Sequence, residues 1–390
     1  MRKHYLDNIR CFADVIVVLY HVFYMYNAEG ILGGVGPITN LDIQYYDLFQ
    51  YIVYPWLMML LFIVSGISAR LYFGSTDSEK HTNKEFIKTR TTRLLVPSTI
   101  GLFAFQFIQG FVNASISGVF VSEQEIPAVG KAIICILSGT GVLWYIQLLW
   151  VLCLVLVLVR KIEKNRFWNL IEEKFSVTEE GPSKACTALT LVIITALGAL
   201  VWAFSHILNT PIIVVYRFGL YGIAFFLGYF VFSHDGIIEI LKKYFWIFAL
   251  ASIGLGTWFC IKYFGQNYAD KPINRSPLFI SYGYLSCLTI IGLFSKFFDF
   301  ENSFTRWMNK RGFGLYVFHY LGISAFALFI AKPGLVSPGL AYPLTLIAGL
   351  ISGYGLYEII SRIPFWRWAV LGIKKPRQKK TEENEPDVQG

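Results

Sequence analysis

The chain has 390 residues, 55% of them hydrophobic and only 15% charged, with a formal net charge of +9. Soluble domains carry about 25% charged residues, so this composition excludes an ordinary soluble globular protein. The missing charge is absent from windows about as long as a bilayer is thick, and those windows lack the strict two-residue alternation of barrel strands.

About 20 apolar residues cross a hydrocarbon core of about 30 Å as a helix, and at that depth only helices and closed barrels satisfy their backbone groups. The expectation is therefore an all-α, polytopic membrane bundle of ten transmembrane helices. The spans fall at 9–26, 46–73, 94–112, 142–159, 185–204, 211–232, 244–264, 278–298, 313–331 and 341–360. They form one domain, residues 1–372, followed by a polar tail, 373–390, that carries KKPRQKK at 374–380, ends acidic and is expected to be disordered. With the N-terminus inside, 28 Lys and Arg, counted through Arg10, lie on the inner side and 5 on the outer, leaving Arg217 within the sixth span. That bias predicts cytoplasmic termini and makes the basic balance a report of topology rather than of nucleic-acid binding.

Ionisable groups in apolar spans cost several kcal/mol and usually face a cavity or a partner. The first span reads YLDNIRCFADVIVVLYHVF. Arg10 and His21 are 11 residues apart, three helical turns plus about 20°, so they share a face about 16 Å apart along the axis. Asp14 falls within about 40° of that line, and Asp7 extends the stripe. Imidazole is suited to take a proton from a hydroxyl near neutral pH, and a guanidinium to hold a phosphate or carboxylate.

In the second span, Ser65–Gly66 permits close helix approach, and Ser65 offers a hydroxyl. Arg90 and Arg93, at the start of the third, share a helix face; they either snorkel to headgroups or clamp the phosphates of a soluble ligand. Segment 161–184 holds an amphipathic piece around Phe167 and Trp168, suited to the interface. His319 in the ninth span lies shallow when counted from 313, below the depth of His21. Glu358 and Arg217 are further candidates, Glu358 as an ion-pair partner and Arg217 alternatively as an outward-snorkelling structural cation. The six cysteines show no metal-like spacing and are expected to be unpaired core residues, and phosphate-loop and HExxH patterns are absent. No metal and no permanently bound cofactor is expected.

These residues resemble acyltransferase family 3 of membrane proteins, in the branch of the glucan biosynthesis protein C succinyltransferases. Arg10 and His21 stand in the YLDNIR opening. FIVSG, RTTRLLVP, LWYIQLL and the YVFH of Tyr316 and His319 follow in the family's order. Asp14 departs from that pattern, as does Val142, where many relatives carry a histidine. The resemblance implies an O-acyltransferase of the bacterial plasma (inner) membrane. It would move an acyl group, acetyl or succinyl, from cytoplasmic acyl-CoA to a hydroxyl of a cell-envelope carbohydrate or lipid-linked glycan. It makes Arg10 and His21 the catalytic pair, with Asp14 beside them, and Arg90 and Arg93 the donor-phosphate contacts. Trp144, Tyr145, Tyr316 and His319 become the site wall, to which Ser65 and Glu358 are added. The expected partners are acyl-CoA, a carbohydrate or glycolipid acceptor and membrane lipids, with no nucleic acid. The rival reading is a transporter or flippase using the Arg/Asp/His stripe as a proton relay.

Overall fold

The computed structural model describes residues 3–39, 43–74, 81–121, 126–175, 184–210 and 215–374. The tail from residue 375 lies outside them, as does 211–214 at the start of the expected sixth span. The described residues fold entirely as helices and connections, with no strand.

The first two spans form α1, His4–Met25, and α2, Leu48–Phe73. The third, α3, runs from Asn83 to Ile116 and is longer than the apolar window because its polar first turns are helical too. Two π-helical stretches, Thr91–Leu95 and Leu102–Gln106, interrupt it. A short helix inside the expected outer loop, α4, Ala128–Ser138, folds back on α3, with Asn113 Nδ2 donating to the Ser138 carbonyl at 2.8 Å. Then follow α5, Trp144–Glu163, the amphipathic α6, Arg166–Phe175, and α7, Lys184–Phe204.

Helix α8, Phe218–Phe230, has 13 residues where a span of 22 was expected, so nine helices rather than ten are long and apolar enough to cross a bilayer among the described residues. It nevertheless joins the two ends of the bundle. Arg217 at its start donates to the Asn274 carbonyl, while Tyr229 near its finish meets Arg70 and Arg160. A helix buried nearly all round needs no lipid-length face, and α8 is buried against α2. Two glycines permit that contact. A Cβ on Gly66 would lie 2.0 Å from the Phe225 carbonyl oxygen, and one on Gly228 2.1 Å from that of Ile63. Only small residues allow backbones so close.

The remaining helices are α9, Asp235–Tyr263, α10, Pro277–Phe297, α11, Ser303–Ala331, α12, Pro338–Ile360, and the short α13, Pro364–Leu371. Helix α11 starts at Ser303, well before its apolar run at 313. Asn302 and Thr305 close a capping box there, which satisfies the first backbone donors. Helix α1 packs between α2 and α11, and its start is pinned to the α10–α11 turn by Asn8 Nδ2, which donates to the carbonyls of Phe298 at 2.6 Å and Phe300 at 2.8 Å. The ionic stripe of α1 is thereby held inside the bundle.

At the basic end of the bundle α6 seals the cleft below α2 and α5. The Arg70 guanidinium lies 3.7 Å over the Trp168 ring and donates to Asn165, and the Arg160 guanidinium lies 3.6 Å over Phe73. The amphipathic piece expected at the interface thus docks on the protein through Trp168.

Candidate active site

Arg10 sits where α1 meets α2. Its Nη1 donates to Asp7 Oδ1 at 2.9 Å and its Nη2 to Ser68 Oγ, which itself donates to the Val64 carbonyl. Ser68 is a contact the sequence reading missed; it lies one helical turn beyond Ser65, on the same face of α2. Ser65 Oγ is hydrogen-bonded to Tyr145 Oη at 2.9 Å, so these two expected wall residues come together.

His21 meets His319. The two rings lie 5.0 Å apart between centroids, with His319 Nε2 3.1 Å from His21 Nδ1. The shallow depth expected for His319 is corrected by the early start of α11. From Ser303 it lies about 24 Å along the axis, and His21 about 25 Å from the start of α1, so the two are level.

The surrounding carbonyls fix the proton positions. His319 Nδ1 lies 2.8 Å from the Leu315 carbonyl oxygen, an acceptor only, so Nδ1 carries the hydrogen and Nε2 of a neutral ring carries the lone pair. His21 Nδ1 lies 2.9 Å from the Val17 carbonyl oxygen and faces that lone pair, so it too donates. The lone pair of His21 is left on Nε2, which has no partner among the described residues. This is the form a general base or a nucleophile requires.

Tyr316 Oη donates to the Val142 carbonyl, and its ring lies 6.1 Å from Tyr145. Trp144 continues the wall, with ring centroids 5.5 Å from Tyr221 and 6.3 Å from Tyr216. Asp14 has no hydrogen-bond partner among the described residues and packs against Gly312 of α11. A Cβ there would come within 2.5 Å of Asp14 Oδ2, so glycine makes room for the carboxylate. Asp14, His21, Ser65, Trp144, Tyr145 and Tyr316 all keep partial accessibility between the helices of the bundle.

The two arginines of α3 do not share a face as the α-helical spacing predicts. The π-helical stretch starting at Thr91 changes the phase between them, leaving Arg93 exposed while Arg90 is half-buried, 5.1 Å over the Phe86 ring. Arg90 has no hydrogen bond or ion pair among the described residues, and the charges of Arg10 and Arg93 both act on it. The three guanidiniums are therefore close enough for their charges to interact at the basic end of the bundle.

Glu358 is engaged in ion pairs. It receives Arg311 Nη2 at 2.8 Å and Nε at 2.9 Å, with Arg362 at 3.8 Å, and so clamps α11 to α12. Among the described residues no group of His, Cys, Asp and Glu could hold a metal ion.

A family model described as an acyltransferase domain matches residues 3–358. No curated protein matches the chain, and no solved structure does.

Proposed function

The chain belongs to acyltransferase family 3 of membrane proteins, and on that premise we propose that it transfers an acyl group from acyl-CoA to a hydroxyl of a cell-envelope carbohydrate or lipid-linked glycan. The observation that carries the reading is the unpartnered Nε2 of His21, on the same helix as Arg10 and oriented by His319. A membrane acyltransferase needs an acyl donor and an acceptor, and the groups around Arg10 and those around His21 differ as two such substrates would require. Arg10, Arg90 and Arg93 offer guanidiniums to the phosphates of CoA, and Arg90 and Arg93 are not ion-paired with a carboxylate among the described residues. The excess of Lys and Arg at this end supports its facing the cytoplasm, from which acyl-CoA would enter. Tyr145, Trp144 and Tyr316 supply flat faces for a sugar.

In the reaction, His21 Nε2 takes the proton of the acceptor hydroxyl as its oxygen attacks the thioester carbonyl. The imidazolium so formed donates through Nδ1 to His319 Nε2 and the Val17 carbonyl, which stabilise its charge. When the tetrahedral intermediate collapses, the carbon–sulfur bond breaks and His21 returns the proton to the thiolate. The products are an O-acyl ester and free CoA.

The test uses purified protein with radiolabelled acetyl- or succinyl-CoA. CoA release that depends on an added sugar is expected, with His21→Ala reducing it by about 10²–10⁴-fold at unchanged expression. Solute flux without CoA release, or wild-type turnover in the alanine variant, overturns the reading.

A further inference from the structure

Arg217 is 3% exposed at the start of α8, so it does not snorkel to water. Its Nη2 donates to the Asn274 carbonyl at 2.7 Å, while its Nε has no partner. No carboxylate pairs with it among the described residues. A guanidinium offers five N–H donors, and a buried charge without a counter-ion is costly. Beside it stands Arg275, whose pKa is lowered by burial and then by the Arg217 charge, and whose Nε is likewise without a partner. The nearby Asp270 is engaged by Asn267 Nδ2 at 3.0 Å. Two cations thus lie close enough for their charges to interact at this end of the bundle, and neither is ion-paired with a carboxylate among the described residues.

The charge of Arg217 acts on Tyr54 and Tyr221. Tyr221 is one helical turn along α8 and borders Trp144, a residue of the expected site wall. Tyr54 stacks at 6.0 Å on Tyr20, the chain neighbour of His21. Among the described residues, the hydroxyls of Tyr54 and Tyr221 and the indole N–H of Trp144 make no hydrogen bond, and none is sealed as an orphan. Donors without a protein hydrogen bond thus recur from Trp144 through Tyr221 and Tyr54 to Arg217, whose own Nε is buried without a partner.

We propose that Arg217 is an anion receptor of the active site, taking a carboxylate or phosphate carried by a substrate whose reacting atom lies at His21. The anion is either the far carboxylate of a dicarboxylic acyl group or an acidic group on the acceptor. The link to catalysis rests on the acyl-transfer reading; the existence of the anion site does not.

Two measurements separate these. In the first, purified protein is titrated with succinate, inorganic phosphate and neutral succinamide, and thermal unfolding is followed. Succinate or phosphate is expected to raise the melting temperature of the wild type but not of Arg217→Gln, and succinamide to do nothing. In the second, kcat/KM is compared for succinyl-CoA and acetyl-CoA with glucose or glucose 1-phosphate as acceptor. If the anion belongs to the acyl group, Arg217→Gln lowers the succinyl-to-acetyl ratio by about 10–100-fold with either acceptor. If it belongs to the acceptor, both donors suffer alike and only with the phosphorylated sugar. Should Arg217→Gln not fold, Arg217→Lys, which keeps the charge and loses the fork, is expected to show the same pattern in smaller degree. Anion stabilisation in a wild type that releases no CoA defeats the acyl-transfer reading and leaves the receptor standing. Equal responses of variant and wild type in both measurements overturn the proposal.

Discussion

The hydrogen bond between His319 and His21 makes a prediction whose size follows from its partners. His319→Asn keeps an amide N–H donor near the former Nδ1 but removes the acceptor that faces His21; His319→Gln restores an acceptor at about the former Nε2. A hydrogen bond to a charged group contributes about 1.5–3 kcal/mol, and about 1.4 kcal/mol is a factor of ten. The Val17 carbonyl, 2.9 Å from His21 Nδ1, remains in every variant and retains part of the stabilisation. The asparagine variant is therefore expected at the low end, with kcat reduced about 10–30-fold. KM for acyl-CoA should not move, because His319 stands at the level of His21, about 16 Å along α1 from Arg10. Initial rates of thiol release at saturating acceptor give both constants. His319 is a positioning residue in this account, so recovery by glutamine separates it from a packing role. Full kcat in the asparagine variant, or glutamine no better than asparagine, refutes the reasoning.

Arg10→Ala removes one charged donor and should raise KM for acyl-CoA about tenfold or more, measured by the same assay across donor concentrations. Glu358→Gln loosens the α11–α12 clamp, so the melting temperature in detergent should fall while turnover per folded molecule stays at the wild-type value. Glu29, in the connection between α1 and α2, has its pKa pushed up to about 7 by burial and then by the neighbouring Asp47 carboxylate. An acid that holds its proton more tightly when folded contributes stability below its ordinary value of 4.5 and loses it as pH climbs to about 7. Thermal unfolding scans across that window should show a falling melting temperature, and Glu29→Gln should flatten the slope.

Much of the bundle was legible because lipid imposes a single rule on backbone groups, and long apolar windows obey it. The misses are places where protein, not lipid, surrounds the chain. Helix α8 is short because α2 covers it through Gly66 and Gly228, so hydropathy alone places its start too early. Helix α4 hides in a presumed loop because its 11 residues are too few to register as a span. The polar first turns of α11 are helical because Asn302 caps them, a signal present in the sequence but outside the apolar window. That last error carried into the site, since the apparent depth of His319 depends on where its helix begins.

The stripe on α1 was visible as periodicity, but which way it faces is decided by neighbours distant in sequence. Arg10 is held by Ser68 of α2, and His21 by His319 of α11. Those two helices flank α1, so a face bonded to both must point into the cleft between them and away from lipid. Between the two bonded ends, Asp14 keeps an unpaired carboxylate and partial accessibility opposite Gly312. The stripe thus presents a guanidinium held by α2 at one end and an imidazole held by α11 at the other, with glycine making room for the carboxyl group between them.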